Sequence, residues 1–319
     1  MRSFSVSDQD DGQRLSRFLE KMVPSLYPSL MHKYLRTKRI KINGKRAESA
    51  SRLSEGDVVE LYINDEFFEK KKKSPGFLSA SSKLTVLYQD TNVAVLYKPA
   101  GVLSHEDKTD FNDTLINRFL RFLYESGEYD PYSVQSFTPA LCNRLDRGTS
   151  GIVLAAKTAE SLREMNKIIK YRLLEKHYLA IVTSKPPEDG SYTAYLLKNN
   201  NNNTVLIFDM PVKKAKIIIT DFTTISQKDG LWLIDIKLVT GRTHQIRAHL
   251  KHLGCPVLGD GKYGDGHINK QYNINRQALA AYNVEFKLGV YKSEFPVLAY
   301  LDEKSFSVDS VWFEESYFS

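Results

Sequence analysis

The stretch that decides the fold and the chemistry of this chain is Asn143-Arg144-Leu145-Asp146-Arg147-Gly148-Thr149-Ser150-Gly151. It places one carboxylate, Asp146, between two arginines and then enters a short turn bounded by glycines. The apolar residues 152–156 that follow predict a buried strand. Because cations beside a carboxylate favour its ionised form, Asp146 at the entry to this strand is a candidate nucleophile. An isolated Arg-x-Asp is more often a salt-bridged loop aspartate, so the rest of the chain must decide between the two interpretations.

The composition limits the class of protein. The chain has 319 residues, for which we expect two domains, and 45 Lys plus Arg against 38 Asp plus Glu give a net charge of +7. This excess favours polyanionic partners. The two cysteines, Cys142 and Cys255, are too few for a disulfide scaffold and too far apart for a zinc knuckle. Because the chain has no apolar leader and no run of about 20 apolar residues, we expect a cytoplasmic protein that does not bind membranes. We also expect a monomer.

The first 64 residues have the pattern of a small domain. Apolar residues recur at helical spacing between positions 14 and 22, with Asp11 as a possible cap, and a second helix should begin near Pro28. Ile40 and Ile42 alternate with a lysine up to Asn43-Gly44, which is typical of a hairpin turn, and a further strand is expected at 58–63. The second helix and the hairpin carry the cationic side chains Lys33, Arg36, Lys38, Arg39, Lys41 and Lys45.

The remainder of the chain divides into a linker and a larger domain. Residues 65–82 are expected to form a mobile linker that buries little, because a lysine run at 70–73 is followed by Ser74-Pro75-Gly76. Residues 83–319 mix helices and strands, with Thr158 as a predicted helix cap and Asn199–Asn203 as a predicted hairpin loop. This order is neither regular βαβ nor all β. The sequence therefore predicts the α+β class: a mixed, largely antiparallel central sheet with flanking helices.

Four blocks of the larger domain resemble the RluA family of pseudouridine synthases. Residues 144–151 are similar to that family's R-L-D-x-x-T-S-G signature, whose Asp is the nucleophile. Residues 97–105, 176–180 and 241–249 are similar to its N-K-P-x-G-x-x-x-H, K-x-Y-x-A and G-R-T-H-Q-I-R-x-H blocks. The resemblance implies the pseudouridine synthase fold, with Asp146 as nucleophile, Tyr178 facing the target base and Arg247 pairing with Asp146 through a bidentate fork. Without the resemblance, Tyr178 would be interpreted as a core aromatic.

The same blocks imply roles for neighbouring side chains. Lys98 is expected to order the end of its strand and the adjacent turn rather than to act in catalysis. Thr243 is a possible cap for the helix that carries Arg247. We expect Arg144 to fill the gap left by a flipped base or to bind its phosphate, and the same resemblance implies RNA contacts for Arg242 and His244.

The N-terminal domain has a resemblance of its own. The string 39–45, Arg-Ile-Lys-Ile-Asn-Gly-Lys, with Gly56-Asp57 later, is similar to the compact αL RNA-binding module, first seen in a small-subunit ribosomal protein and common in front of pseudouridine synthases. This implies that the six cations named above contact RNA phosphates. The alternative is a solvated, charged helix face.

Neither a metal nor a cofactor is expected. The three histidines between 244 and 252 lack a carboxylate or cysteine at metal-binding spacing. The glycines at 259, 261 and 264 form a G-x-G-x-x-G, but without the strand and helix that a dinucleotide site needs, and they are similar to the family's G-D-x-x-Y-G block. The chain departs from the family at residues 276–281, where R-x-x-L-H-A is common and the His is absent. This departure puts local packing or a peripheral contact in doubt.

The resemblance implies isomerisation of uridine to pseudouridine within RNA, with large-subunit ribosomal RNA as the expected substrate. Two alternatives remain open: a synthase directed at transfer RNA, and a non-catalytic RNA-binding or ribosome-assembly factor that keeps the fold. The joint presence of Asp146, Tyr178 and Arg247 favours an enzyme over the second alternative.

Overall fold

The computed structural model describes residues 1–68, 75–107, 112–132, 137–199 and 204–318. Two β-sheets organise these residues, a small one near the N-terminus and a large one in the remainder. The lysine run at 70–73 and residues 200–203 of the predicted asparagine loop lie outside the described residues.

The N-terminal sheet has four strands and two helices packed on it. Its elements are β1 (Arg2–Ser5), α1 (Leu15–Met22), α2 (Pro28–Arg36), β2 (Ile40–Ile42), β3 (Lys45–Arg46) and β4 (Val58–Leu61). The strand order is β1-β4-β2-β3, and every pair is antiparallel. The predicted hairpin is confirmed: Asn43 and Gly44 have φ of 50° and 73°, as a two-residue turn with both φ positive requires. Asp11 does not cap α1, because its carboxylate accepts the Glu55 backbone N–H at 3.1 Å.

The second sheet contains eleven strands. Its strands are β5 (Thr85–Gln89), β6 (Val93–Lys98), β7 (Ala140–Leu141), β8 (Ser150–Ala156), β9 (Leu174–Val182), β10 (Gly190–Asn199), β11 (Thr204–Phe208), β12 (Lys216–Lys228), β13 (Leu231–Leu238), β14 (Leu279–Phe286) and β15 (Ser305–Ser307). The main order is β11-β10-β12-β13-β9-β14-β8-β6-β5, with β15 paired to β14 and β7 to β8. The β8–β14 pair is parallel and the other pairs are antiparallel. The predicted mixed, largely antiparallel sheet is confirmed.

Helices flank this sheet on both faces. They are α3 (Leu115–Glu125), α4 (Ala159–Lys170), α5 (Gln245–His252), α6 (Gly266–Gln271) and α7 (Trp312–Phe318). α3 and α5 pack on the face that carries Tyr178 and Ala180, whereas α4 and α7 cover the face that carries Leu179 and Ile181. The strand alternation predicted around Tyr178 is therefore present. The predicted cap of α4 is also confirmed, since the Thr158 hydroxyl accepts the Ser161 N–H at 3.1 Å. In the part of the chain that the structure describes, no helix combines the length and apolarity needed to cross a membrane.

Part of the predicted linker is packed rather than free. Phe77 is buried against α3 and the residues after it, with ring centroids 6.1 Å from Tyr124 and 6.0 Å from Tyr129. Arg121 donates a hydrogen bond to the Ala80 carbonyl at 2.6 Å. The expectation that residues 65–82 bury little is wrong at 77–80, because the single aromatic ring of Phe77 outweighs the polar residues around it.

Candidate active site

A cavity of about 550 Å³ opens where the loop before β8, the middle of β9 and the loop after β13 meet. Asp146, Tyr178 and Arg247 all line it, although 101 positions separate the first of them from the last. Arg144, Arg242 and His244 from the same loops line it as well. The folded chain thus brings together the predicted site residues of the larger domain.

The turn that presents Asp146 is held from below by Lys98. This side chain is fully buried, and its ammonium donates to the carbonyls of Pro99 at 3.1 Å, Val102 at 2.7 Å and Arg147 at 3.2 Å. Burial lowers the pKa of Lys98 to about 7, although Asp146 opposes the shift. The expected structural role of Lys98 is confirmed, because these contacts tie the end of β6 to the loop that carries Asp146.

Close strand packing explains the glycine that ends the signature. Gly151 has a φ of 117°, and a Cβ placed on it would lie 2.1 Å from the carbonyl oxygen of Ala281 on β14. A side chain here would force β8 and β14 apart at their short parallel pairing. Gly151 therefore allows β8 to approach β14 closely at the point where the Asp146 loop joins the sheet.

The carboxylate of Asp146 is contacted by Arg247 from α5. Nη1 of Arg247 lies 2.7 Å from Oδ2 of Asp146, and the Asp146 side chain remains 21% exposed to the cavity. The expected pairing is present, but the expected fork is not. Nε and Nη2 of Arg247 instead donate to the two oxygens of Asp260, at 2.7 and 2.9 Å. The bidentate contact of Arg247 is therefore with Asp260, and Nη1 makes its contact with Asp146.

Asp260 is the buried anchor of this arrangement. Its side chain is 0% exposed, and its carboxylate also accepts the backbone N–H groups of Lys262 and Tyr263 at 2.8 and 3.0 Å. Burial alone would raise its pKa, but the hydrogen bonds from Arg247 outweigh that effect and lower it. Burial likewise disfavours the Arg247 guanidinium, and the bonds to Asp260 and Asp146 raise its pKa nonetheless. Both groups are therefore charged at physiological pH.

The block that departs from the family pattern also reaches this site. The carboxamide of Gln277 lies between Thr149 and Arg247; with its oxygen towards Arg247 it accepts from Nη2 at 2.9 Å and donates to the Thr149 hydroxyl at 3.0 Å. Ala280, which takes the position of the family's His, is fully buried in the core below β14. Gln277 therefore supports Arg247, and the changed position itself contributes to packing.

Tyr178 projects from β9 into the cavity and is 7% exposed. Burial raises the pKa of its phenol, and the negative charge of Asp146 raises it further. The phenol is therefore neutral at physiological pH. Its ring forms part of the cavity wall beside Asp146, as a platform for a planar base would.

The loop after β13 differs from its expected capping pattern. Thr243 does not cap α5; the Gln245 side chain accepts the Arg242 N–H at 3.1 Å and the Thr240 hydroxyl at 2.9 Å, and His244 precedes the helix with a φ of 55°. The reason is that a left-handed residue at this position turns the chain so that the amide of Gln245 faces back into the loop. The predicted cap is wrong, and Gln245, the first residue of α5, instead binds the loop that precedes the helix.

His244 lies inside the site rather than on the surface. The Tyr263 hydroxyl accepts the Val205 N–H at 2.9 Å and forms a hydrogen bond with Nδ1 of His244 at 3.0 Å. Nε2 of His244 lies 3.9 Å from Oδ2 of Asp146. Burial lowers the pKa of His244, and the opposing effect of Asp146 does not reverse this. A neutral imidazole therefore faces the carboxylate.

The other predicted RNA contacts lie at the surface. Arg144 and Arg242 are exposed at the rim of the cavity, and on the N-terminal sheet and α2 the exposed cations are Lys33, Arg36, Lys38, Arg39 and Lys45. Lys41 is half-buried, with its ammonium 5.1 Å from the centre of the Tyr62 ring. The structure thus leaves five of the six N-terminal cations accessible.

Two site residues escaped the sequence interpretation, Asp260 and Gln277. Asp260 lies in the G-D-x-x-Y-G block, whose glycines explain the apparent nucleotide motif, but the sequence did not identify its aspartate as a site residue. An acidic residue next to glycine after the apolar residues 255–258 is a detectable signal, because an aspartate in an apolar segment is rarely buried without a partner. Gln277 carried no such signal, because nothing in its own segment identifies the arginine that it contacts.

Comparisons with known proteins agree with this geometry. The profile of the RNA pseudouridylate synthase family matches residues 92–252, the segment that contains Asp146, Tyr178 and Arg247. An uncharacterized RNA pseudouridine synthase of Mycoplasma genitalium is 33% identical over 98% of this chain and 97% of its own length. A protein of Buchnera aphidicola subsp. Baizongia pistaciae named ribosomal large subunit pseudouridine synthase C is 32% identical over 93% of each chain.

A solved structure shows the same fold. The human RNA pseudouridylate synthase domain containing 4 superimposes with a TM-score of 0.55 at 21% identity, over 72% of this chain and 89% of that one. This fold agrees with the family profile and with the relative that matches this chain over nearly its full length. The chain belongs to the RNA pseudouridylate synthase family, within the RluA type that its motifs resemble, and is an isomerase that makes pseudouridine in RNA.

Proposed function

We propose that this enzyme modifies one or more uridines of large-subunit ribosomal RNA, and that Asp146 is its nucleophile. The catalytic part is supported by one observation: inside the cavity, the partly exposed carboxylate of Asp146 pairs with the buried Arg247, which Asp260 holds by two hydrogen bonds. The relatives of Buchnera and Rickettsia named ribosomal large subunit pseudouridine synthase C support the choice of RNA. A ribosomal substrate also supports a cytoplasmic location for this chain.

The chemistry requires the uridine to leave its stack. Unstacking and flipping the nucleotide costs a few kcal/mol, which contacts in the cavity offset. Asp146 attacks the nucleotide, at the base or at the sugar; the bond between N1 and C1′ breaks, the uracil rotates, and C5 bonds to C1′. The bond to Asp146 breaks again, the hydrogen on C5 is released as a proton and N1 takes up a proton, so no oxidant, reductant or cofactor enters the balance. Arg247 holds the carboxylate in its attacking orientation, and Arg144 at the rim fills the space of the flipped base or binds its phosphate.

Tyr178 is proposed to receive the uracil on its ring. Its phenol is neutral, so in the resting enzyme it is a proton donor rather than a base. The ring provides a flat apolar surface beside Asp146, and stacking of a base on an aromatic ring contributes about 1–3 kcal/mol.

Tyr178→Leu should reduce the rate of pseudouridine formation about 10- to 100-fold, because the stacking surface is lost. Tyr178→Phe keeps the ring and removes the hydroxyl, so it should stay within a few-fold of wild type if stacking is the whole contribution. The rate is measured as tritium release from RNA labelled at carbon 5 of uridine. A Tyr178→Phe variant as slow as Tyr178→Leu would assign proton transfer to the hydroxyl, and full activity in Tyr178→Leu would return the residue to the core.

The N-terminal residues 1–64 are proposed to form an αL RNA-binding domain, joined through 65–82 to a catalytic domain at 83–319. The exposed cations of α2 and the hairpin support this, since they stand on a compact core of their own. Contacts to phosphates position a protein on RNA without reading its sequence, and they weaken as salt rises.

Neutralising three of these cations in the full-length chain should weaken RNA binding and flatten its salt dependence. For Lys33→Gln, Arg36→Gln and Lys38→Asn combined, we expect the slope of log affinity against log salt to fall by roughly 0.7–0.9 for each lost phosphate contact. The matched control replaces three exposed lysines of the helices in the larger domain, Lys167, Lys251 and Lys270, by Gln. Equal slopes for the test variant and wild type would show that these N-terminal cations do not touch the RNA.

The choice between RNA classes is tested directly with purified protein. Wild-type enzyme is incubated separately with transcribed large-subunit ribosomal RNA and with transcribed transfer RNAs, both labelled at carbon 5 of uridine. Tritium release from the ribosomal RNA alone supports the proposal, and release from transfer RNA alone assigns the enzyme to the other class. Binding of both RNAs without release from either would contradict catalysis and support the alternative of an assembly factor.

A further inference from the structure

Lys176 differs from the other buried or half-buried lysines of the large sheet. Lys98 is surrounded by three carbonyl oxygens, and Lys237 pairs with Glu175 at 2.6 Å on the opposite face of the sheet from Tyr178. Lys176 lies two residues before Tyr178 on β9, so it faces the same side, and it lines the same cavity. It is half-buried, and this burial lowers the pKa of its ammonium without a compensating carboxylate among the described residues.

The position of this ammonium within the cavity is also defined. A Cβ placed on Gly241 would lie 3.7 Å from Nζ of Lys176, so the side chain crosses from β9 to the loop after β13. Gly241 is exposed and precedes Arg242 at the rim. The ammonium therefore lies at the rim side of the cavity, whereas Asp146 is paired with Arg247 from α5.

Two further cations line the same cavity as Lys176. Lys170 ends α4, and Arg172 follows it with a φ of 60°; both are exposed and line the cavity. A partly desolvated ammonium that has no paired carboxylate is costly unless an anion arrives with the ligand. The uracil ring is neutral, and the anionic groups of RNA are its phosphodiesters. A nucleotide that rotates out of its stack about the backbone keeps those phosphates at the rim.

We propose that Lys176 binds a phosphate next to the flipped uridine and thereby sets the depth at which the base enters the cavity. This rests on the proposed function, since it takes the cavity around Asp146 to be the place of isomerisation. Lys176 is a positioning residue in this account: it holds the backbone while Asp146 reacts. The experiment must distinguish a contact with the phosphate from a contact with the uracil carbonyls.

The test combines a protein substitution with a neutral linkage in the RNA. A short stem-loop around a uridine that wild-type enzyme modifies is made with ordinary linkages, or with one uncharged methylphosphonate immediately 5′ or 3′ of that uridine. Wild type, Lys176→Met, Lys176→Arg and the exposed control Lys251→Met are compared by tritium release at sub-saturating RNA, with thermal unfolding to show that each variant is folded.

We expect Lys176→Met to react about 10-fold more slowly than wild type on the ordinary RNA, the effect of one lost charge-assisted contact. One of the two neutral linkages should slow wild type and Lys251→Met to the same degree while leaving Lys176→Met unchanged, because the partners are then already separated. Lys176→Arg should recover part of the rate and regain sensitivity to that linkage.

Neutral linkages that slow Lys176→Met as much as wild type would overturn the phosphate contact, as would a Lys176→Met variant with wild-type rate. A Lys176→Met variant that is slow and as sensitive as wild type at both linkages would place the lysine against the base instead. If wild-type enzyme modifies no uridine in any RNA tested, the proposed function is overturned, and the role of Lys176 with it. These outcomes separate failure of the inference from failure of the function on which it rests.

Discussion

Replacing Asp146 by Asn is expected to abolish pseudouridine formation, with a loss of on the order of 10⁴-fold or more, because Asp146 is the only carboxylate among the described residues that line the cavity. The substitution keeps the size of the side chain. Arg247 remains anchored on Asp260, so the cavity should keep its shape. The rate is measured as tritium release under single-turnover conditions, and RNA affinity is measured separately by titration.

The matched control for this variant is Asp221→Asn, a carboxylate of β12 in the same sheet that does not line the cavity. We expect it to keep wild-type activity, and we expect Asp146→Asn to bind RNA within a few-fold of wild type. Turnover by Asp146→Asn comparable to that of the control would remove Asp146 from the role of nucleophile.

Replacing Arg247 by Lys should lower the rate by about 10²–10³-fold and destabilise the fold as well. A lysine keeps the charge but cannot span Asp146 and both oxygens of Asp260 at once. Asp260 is fully buried, and leaving part of its carboxylate without a hydrogen-bond donor costs about 1–3 kcal/mol. Activity is followed by tritium release and stability by urea unfolding at the same pH.

Asp260→Asn separates the two effects of that change. The Asn side chain keeps an oxygen that can accept the backbone N–H groups of Lys262 and Tyr263. It weakens the buried pair with Arg247, and Arg247 still faces Asp146. We expect a clear loss of stability with a smaller loss of rate than in Arg247→Lys. If the two variants lose rate in proportion to their loss of stability, Arg247 acts through the fold alone and its contact with Asp146 is not catalytic.

Local patterns predicted much of this fold because their causes are local. The Asn43-Gly44 turn, the cap at Thr158 and the alternation around Tyr178 each depend on residues within a few positions of one another. The signature around Asp146 likewise carries its own turn, and its last glycine reports a close strand contact that only a residue without a Cβ allows.

The remainder depended on contacts between distant segments. That the fork of Arg247 goes to Asp260 is decided by how α5 sits on the loop after it, and that Gln277 joins them is decided by the parallel pairing of β8 and β14. The failed cap at Thr243 has the same origin, since the left-handed turn at His244 is held by Tyr263 and not by its neighbours in sequence. The buried Phe77 shows that one aromatic residue can pack a segment of otherwise polar composition.

The most direct test of the central claim is a pseudouridine-specific chemical map of total RNA from cells that lack this protein, compared with the same cells given back wild type or Asp146→Asn. The account predicts that one or more pseudouridines in large-subunit ribosomal RNA are absent without the protein, return with wild type and stay absent with Asp146→Asn. A map in which ribosomal pseudouridines are unchanged by loss of the protein, or return equally with the Asn variant, would contradict it.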